Sequence, residues 1–547
     1  MANDLEDTGM YVVSVKEQEE VTVKSWASEY EGNGVELFHK HITDCCEMCQ
    51  GPGSSIYAKT VVIVNSSGMG KTRMIDESSK SLFTVLFVLR DTAGGFPPSD
   101  SDVLAYFQSP RTMEDCQTAI LCFLKTLYDN LADMLKKQTE KMEKRKHAEI
   151  AHWFRGYLGS WDQMGAPSQE RKRFFESVVN GANNMLQAQG AMPDPTFTGG
   201  RDAAGLSPRL PATDLSYQSQ MIRSFQTLSE LLSHEHPGHL PTVLLAFDEA
   251  HTLLRPIDKQ DRRTTIHTVL RRVFRSLNNE RHMACFLSTS ASITQFAAPM
   301  RLDPSSRIQW DIYHTLPAFS SFPLNMARIQ PHEMDLTAVG KIDFMCKQSR
   351  ILFRTRAEHG VHNEVGRNLV RFAKDKLLGA SDTSEYDDAQ NLAILARRIP
   401  IDIRTNTSSA LTSTNQQIAQ HMRVLYKIKD KNESLITGSP SEPSISEGAK
   451  SAMSSGSFDA AIALRRILGS PGISVGERGE MVVELLMILA SDAATKHGKF
   501  SIPDFFQNLL TEDSWKTLRS SKASRGGELH NKPFKSTFQT LLGTSTT

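Results

Sequence analysis

Thr60–Phe83 reads TVVIVNSSGMGKTRMIDESSKSLF. A β-branched run here gives way to a Ser/Gly loop and then to a segment of helical composition, which predicts a strand, a loop and a helix in succession. The loop, Asn65–Thr72, matches the phosphate-binding pattern GxxxxGK[ST], except that Asn65 stands where the first Gly belongs. A second apolar run, Thr84–Leu89, is typical of the next strand of a βαβ unit.

The chemistry of such a loop explains its composition. Small residues allow successive backbone N–H groups to turn toward phosphate oxygens, and the helix N-terminus adds its positive dipole end. Lys71 is expected to reach the outer phosphates of ATP, and Thr72 to ligate Mg²⁺. Asn tolerates a left-handed backbone better than most residues, so Asn65 is expected to occupy the turn usually made by Gly. The residues predicted to contact the nucleotide here are Asn65, Ser66, Ser67, Gly68, Met69, Gly70, Lys71, Thr72 and Arg73.

An acidic pair follows a second candidate strand. Thr242–Phe247 (TVLLAF) runs directly into Asp248 and Glu249, as a hydrophobic strand does when it carries a metal-holding Asp and a catalytic Glu in an ATPase. Asp248 is predicted to hold Mg²⁺, and Glu249 to polarise the water that attacks the γ-phosphate. The catalytic residues are therefore predicted to be Glu249 and Lys71. A strand that simply ends at a solvated acidic turn is the alternative interpretation.

Two weaker features accompany these motifs. The run Met283–Leu287 leads into three hydroxyl residues, Ser288, Thr289 and Ser290, any of which could contact the γ-phosphate. Ser288 is the residue assigned to this role. A simple Ser/Thr turn explains these three residues equally well. Three arginines follow the acidic strand and could supply an arginine finger to a neighbouring subunit, although a solvated basic helix face explains them as well. They are Arg271, Arg272 and Arg275.

Alternating strands and helices predict an α/β fold with a parallel sheet, of the P-loop NTPase kind (AAA/STAND-like), followed by an α-helical region. The expected divisions are an N-terminal helical adaptor at 1–55, an NTPase domain at 56–330 with a helical and loop insertion at about 113–235, a helical region at 331–429, a linker at 430–456, a C-terminal helical region at 457–520 and a flexible tail at 521–547. The linker is predicted from its Ser, Gly and Glu content.

Composition limits the partners. Lys+Arg and Asp+Glu both total 62, so no global field would draw the chain to nucleic acid or anionic lipid. The N-terminus does not have the pattern of a signal peptide, and no apolar run is long enough to span a membrane. The seven scattered cysteines are not typical of a disulfide framework. These observations together predict an intracellular protein, cytoplasmic or nuclear. Expected partners are ATP, a protein bound to the helical region and a second copy of the chain. Cys46 and Cys49 are expected to pack as small hydrophobes rather than to bind metal.

Several blocks together resemble a family of fungal P-loop NTPases related to the NTPase modules of Crinkler-type proteins. The blocks lie at Ser66–Glu77, Phe87–Asp100, Leu244–His251, Gln348–Arg356, Gly438–Ala449 and Gly476–Ala494. The resemblance implies a P-loop NTPase. It implies no nuclease activity, because the metal-binding Asp and Glu/Gln-x-Lys element of the associated nucleases does not follow. The tetrad Asp248–His251 (DEAH) is also similar to a helicase motif, but the late Arg-rich element of those helicases is missing.

The leading functional prediction is an ATP-binding, Mg²⁺-dependent switch that hydrolyses ATP slowly. Three alternatives remain open. The chain could be a catalytically silent nucleotide-binding or interaction module, a DNA-associated NTPase related to Crinkler-type proteins, or a small-molecule kinase, the last ranked lowest because such a kinase would not need the Glu beside Asp248.

Overall fold

A computed structural model gives the fold of the chain. It describes residues 15–50, 54–91, 95–139, 145–159, 166–190, 212–258, 263–288, 296, 303–324, 339–360, 365–379, 385–429, 434–470, 472–473, 478–496 and 499–520. The tail at 521–547, Thr289, Ser290 and, within the predicted insertion, residues 140–144, 160–165 and 191–211 lie outside these residues.

A four-stranded parallel sheet lies at the centre of the N-terminal half. Its strands are β1 (Thr60–Val64), β2 (Thr84–Val88), β3 (Val243–Asp248) and β4 (His282–Ser288), in the order β1-β4-β3-β2. Val64 pairs with Ser288, and Phe247 with Phe286, so the carboxyl ends of β1, β3 and β4 meet at one edge. The predicted α/β fold with a parallel sheet is confirmed.

Side-chain alternation along the strands divides the core into two layers. Val62 and Val64 pack in one apolar cluster, and Val61 and Ile63 in another on the opposite face, because successive side chains of a strand point to opposite sides. Both faces are buried, which is why the strands are apolar throughout.

Helices cover each face of the sheet. The N-terminal helices are α1 (Val15–Ala27) and α2 (Gly34–Met48), and α3 (Lys71–Ser78) follows β1. Between β2 and β3 lie α4 (Ser101–Gln108), α5 (Met113–Thr139), α6 (His147–Leu158), α7 (Gln169–Gly190) and α8 (Ala212–Leu231). A 3-10 helix (Ala250–Leu254), α9 (Ile266–Phe274) and a 3-10 turn (Arg275–Leu277) connect β3 to β4. The long inserted helices α5, α7 and α8 bury one face, while α2 and α3 bury the other.

The C-terminal region, residues 339–520, is mostly helical. Beyond α10 (Ser306–Gln309) its helices are α11 (Ile342–Lys347), α12 (Ile351–His359), α13 (Val365–Leu378), α14 (Asp388–Leu395), α15 (Ser408–Gln420), α16 (Pro443–Met453), α17 (Ala460–Leu468), α18 (Arg478–Ala494), α19 (Ile502–Leu509) and α20 (Glu512–Ser520). It also has an antiparallel hairpin, β5 (Val424–Lys429) and β6 (Ser434–Gly438), and a shorter one, β7 (Thr495–Lys496) and β8 (Lys499–Phe500). Among the described helices, none is both long and apolar enough to cross a bilayer.

Two predictions for this region are wrong. The segment 430–456 is not a linker, because β6 and α16 occupy its described part. Its small residues serve packing instead: a Cβ atom on Gly448 would lie 2.7 Å from the backbone N of Lys374, so only glycine allows α16 to lie this close to α13. The region predicted to be helical at 331–429 is not helical to its end, since α15 ends at Gln420, Met422 has a positive φ of 63° and β5 begins at Val424.

Candidate functional site

The candidate site lies where β1, β3 and β4 end. The phosphate loop, which we define as residues 65–72, connects β1 to the first turn of α3. Gly68 and Gly70 have φ values of 75° and 80°, a left-handed conformation that other residues rarely adopt. Two of the small residues of the motif are therefore required by the backbone itself.

Backbone amides in the second half of the loop are available to a ligand. Within the described part of the chain, no hydrogen-bond acceptor is found for the N–H groups of Gly68, Met69, Gly70 and Lys71. Such successive unpaired amides at the start of a helix form an anion-binding cradle. The loop has the backbone conformation and the donors that a phosphate group needs.

Lys71 lies folded back over the loop. Its Nζ donates hydrogen bonds to the carbonyl oxygens of Asn65, at 2.8 Å, and Ser66, at 3.0 Å. The residue is only 6% exposed, and this burial lowers the pKa of Lys71 to about 8, although the nearby carboxylates of Glu249 and Asp248 oppose the shift. The ammonium group is held by two carbonyl oxygens, which a bound phosphate can replace.

Thr72 and Asp248 meet across two elements. The Thr72 hydroxyl donates a hydrogen bond of 2.9 Å to Asp248 Oδ2. Asp248 is buried, and its burial, together with the charge of Glu249, raises its pKa above the ordinary value. A hydroxyl and a carboxylate oxygen are ligands that Mg²⁺ prefers, and Mg²⁺ usually takes only one or two protein ligands, with phosphate and water completing its shell. The residues present therefore fit the predicted metal, even though the described residues contain no cluster of three His, Cys, Asp or Glu side chains of the kind that holds a metal by itself.

Glu249 follows Asp248 in a strained conformation. Its φ of 52° is rare for a residue with a side chain, and such strain is concentrated at functional sites. Arg90 Nη2 lies 3.7 Å from one carboxylate oxygen, and His251 Nδ1 lies 3.3 Å from the other in a close contact that is not an aligned hydrogen bond. Burial raises the pKa of Glu249, but His251, Arg90 and Lys71 together outweigh it, so the pKa is below its ordinary value. The side chain is thus a carboxylate at neutral pH.

The remaining predicted residues lie in different environments. Ser288 ends β4 beside Val64 and is buried, whereas Thr289 and Ser290 lie outside the described residues. The Arg73 side chain points away from the loop, because it binds Asp76 and Glu77 of its own helix. The structure therefore places the Arg73 guanidinium elsewhere than predicted.

Two of the three candidate finger arginines are already engaged. Arg271 is buried and forms an ion pair of 3.1 Å with Asp303, and Arg275 Nη2 donates to the Tyr313 hydroxyl at 3.1 Å. Arg272 is exposed, and its Nη1 makes only a weak contact of 3.7 Å with Met113 Sδ among the described residues. Arg272 is the one of these three whose side chain lies open to a neighbouring molecule.

Asn65 does not have the role predicted for it. Its backbone is not left-handed, and its side chain, in a residue only 1% exposed, makes four hydrogen bonds within the protein. Oδ1 accepts from the N–H groups of Ser66 (2.9 Å) and Leu425 (3.1 Å), and Nδ2 donates to the carbonyl oxygens of Ser320 (3.1 Å) and Leu425 (2.9 Å). The amide has no donor or acceptor left for a nucleotide; it connects the loop to strand β5 instead.

One residue at the loop was missed by the sequence analysis. Arg350, just before α12, donates from Nη1 to the Ser66 hydroxyl (2.9 Å) and the Ser67 carbonyl oxygen (2.7 Å). The next two residues also contact the loop: a Cβ on Gly68 would lie 2.7 Å from Leu352 Cδ2, and one on Gly70 would lie 3.4 Å from Ile351 Cγ2. Nothing in the local sequence indicates that this segment faces residues almost three hundred positions away.

Comparison with known families covers only the C-terminal part of the chain. Residues 381–525 match the model of a domain family of unknown function, DUF8736. The match includes the β5–β6 hairpin but not the phosphate loop, Asp248 or Arg350. Searches of curated proteins and of solved structures find no match. The candidate site therefore rests on its geometry.

Proposed function

We propose that the chain is a P-loop NTPase of the AAA/STAND-like kind, which binds ATP with Mg²⁺ and hydrolyses it as a slow conformational switch. The observation that supports this best is the hydrogen bond between Thr72 and Asp248 beside four unpaired loop amides. A kinship with the NTPase modules of Crinkler-type proteins belongs to the same proposal and rests on the sequence blocks alone.

The arrangement suggests how binding proceeds. Phosphate oxygens accept hydrogen bonds from the amides of Gly68–Lys71, and the Lys71 ammonium leaves the carbonyl oxygens of Asn65 and Ser66 for the phosphates. Thr72 and Asp248 would hold Mg²⁺, whose charge would stabilise the negative charge that develops on the phosphates. The raised pKa of Asp248 implies that metal binding releases part of a proton from this carboxyl group.

Hydrolysis is assigned to Glu249. Its carboxylate accepts the proton of a water molecule whose oxygen forms a bond to the γ-phosphorus, while the bond from phosphorus to the β–γ bridging oxygen breaks and ADP leaves. The low pKa of Glu249 keeps the base ionised, and Arg90 and His251 limit its rotation.

A silent nucleotide-binding module is the second candidate. It is favoured by the side chains of Ile351 and Leu352, which pack against the loop glycines and restrict motion there.

A protein partner is proposed for the C-terminal region because α18 is apolar on two sides: Leu485 packs inward, whereas Val483 and Leu486 are 59% and 53% exposed. Self-association through the same side is proposed as the alternative to a different partner.

Calorimetry and a phosphate-release assay on the full chain would test the proposal, with Lys71→Ala and Glu249→Gln as variants. We expect wild type to bind and hydrolyse ATP only with Mg²⁺, Lys71→Ala to lose binding, and Glu249→Gln to bind without turnover. Binding without turnover in wild type would favour the silent module. No binding at millimolar ATP would refute both.

A further inference from the structure

We propose that Asn65 and Arg350 are positioning residues through which the C-terminal region completes the nucleotide site. They fix residues 65–67, the first half of the phosphate loop, so that the order of the loop depends on contacts made by β5 and by Glu442. The part of this inference that concerns nucleotide affinity rests on the proposed function; the part that concerns loop order rests on the contacts alone.

The Asn65 side chain pairs with strand β5 as a residue of a neighbouring strand would. It binds both the N–H and the C=O of Leu425, the pairing that a neighbouring strand would offer. Leu425 is itself buried, with 0% exposure, so the loss of this partner would leave two backbone polar groups unpaired in the core. Glycine, the residue that the motif predicts here, has no side chain to make these bonds.

Arg350 attaches the next two loop residues to a different part of the C-terminal region. Its Nε lies 2.8 Å from Glu442 Oε2, and its Nη2 donates to Glu442 Oε1 at 2.6 Å and to the Met422 carbonyl oxygen at 2.8 Å. Both charged side chains are about 1% exposed. A planar guanidinium held in this way has a fixed direction, so Nη1 presents its hydrogens to Ser66 and Ser67 in one geometry.

Residues 65–67 of the loop are therefore held by hydrogen bonds to Leu425 and to Arg350, while the four backbone amides that follow stay unpaired. Holding a loop in its bound shape lowers the entropy lost when a ligand binds. These contacts also couple the phosphate loop to the C-terminal region. A conformational change of the loop on nucleotide binding is expected to be transmitted to β5 and Glu442. A change at β5 or Glu442 is expected to alter nucleotide affinity in turn, because such coupling is reciprocal.

Hydrogen exchange of the full chain without nucleotide tests the positioning role. We expect Asn65→Gly and Arg350→Ala each to accelerate exchange of the two hydrogen-bonded amides that flank the free ones, Ser66 and Met74, by about tenfold or more, and Asn65→Gly also to accelerate exchange at Leu425. The matched control is Arg398→Ala, which removes an arginine–carboxylate pair with Asp492 in the same region, at 2.8 Å, without a contact to the loop. If these amides exchange no faster in Asn65→Gly and Arg350→Ala than in Arg398→Ala, the inference is overturned. If Arg350→Ala does not fold, Ser66→Ala and Arg350→Lys remove the loop contact more gently and decide the same question.

The affinity for Mg²⁺·ADP gives the second test. Asn65→Gly restores the motif, yet we expect it to bind at least about fivefold more weakly than wild type, with Arg350→Lys weakened too and Arg398→Ala unchanged. Equal or tighter binding by Asn65→Gly would overturn the coupling. If wild type binds no nucleotide, the proposed function fails, and the exchange experiment still decides whether the C-terminal region positions the loop.

Discussion

Thr72 and Asp248 are 176 positions apart in the chain, and their side chains are joined by a hydrogen bond of 2.9 Å. One begins the helix after β1, and the other ends β3. The bond places a hydroxyl oxygen and a carboxylate oxygen together beside four free backbone amides, which is the combination that a phosphate-bound Mg²⁺ requires.

Removing either partner of this bond should abolish the effect of Mg²⁺ on nucleotide binding. We expect Thr72→Val and Asp248→Asn to lower the affinity for ADP measured with Mg²⁺ by about tenfold or more, and to change it little without Mg²⁺, since each removes a proposed metal ligand. Calorimetry at several Mg²⁺ concentrations would measure this. Thr72→Ser keeps the hydroxyl and should resemble wild type; equal losses with and without Mg²⁺ would contradict a metal role.

Binding should weaken at high pH through Lys71. Its pKa of about 8 in the free protein lies below the ordinary value of about 10.4, so the group loses its proton above pH 8. Phosphate binding favours the charged form, and affinity should therefore stay nearly constant between about pH 7 and about pH 8 and fall by up to about tenfold per pH unit above that. Titration with Mg²⁺·ADP between about pH 7 and about pH 9.5 measures this. Lys71→Arg, whose guanidinium stays charged throughout this range, should show no such slope. A wild-type profile as flat as that of Lys71→Arg would show that loss of the Lys71 charge does not govern binding.

Gly68→Ala should destabilise the protein. The substitution places a Cβ atom 2.7 Å from Leu352 Cδ2 at a backbone φ of 75°, so it carries both strain and a clash. We expect a loss of about 1–3 kcal/mol in the free energy of unfolding, measured in urea. Gly456→Ala is the control, because nothing lies within 4 Å of the added carbon. Combining Gly68→Ala with Leu352→Gly removes both Leu352 Cδ2 and Leu352 Cβ, the latter 2.8 Å from the added carbon, and should reduce the excess loss; if it does not, backbone strain is the main cause.

Gly448→Ala should loosen the C-terminal region. The new Cβ would lie 2.7 Å from Lys374 N and 2.9 Å from Ala373 C, backbone atoms of α13 that cannot rotate away. The clash should cost about 1–3 kcal/mol and outweigh the gain of about 1 kcal/mol in helix propensity. In α18, Gly479→Ala meets nothing within 4 Å and should be neutral or stabilising in the same urea titration. Equal effects of the two substitutions would mean that α13 and α16 separate easily.

Much of the central sheet could be predicted from local patterns. Each of the four apolar runs became a strand, because a strand buried on both faces must be apolar along its whole length. The hairpin β5–β6 was missed because its exposed residues, such as Tyr426 and Lys427, obscure the alternation that marks a strand. Helix α16 was mistaken for linker because its small residues, which serve close packing, are also typical of loops.

The sequence by itself determined the strand–loop–helix of residues 60–78 and the acidic pair at the end of β3, since these depend on backbone preferences and apolar patterns within a few residues. Only the tertiary structure decided the role of Asn65, whose partner Leu425 is 360 positions away, and of Arg350, which is 284 positions from Ser66. Hydrogen bonds over such separations depend on how the two regions pack, and no local pattern encodes that.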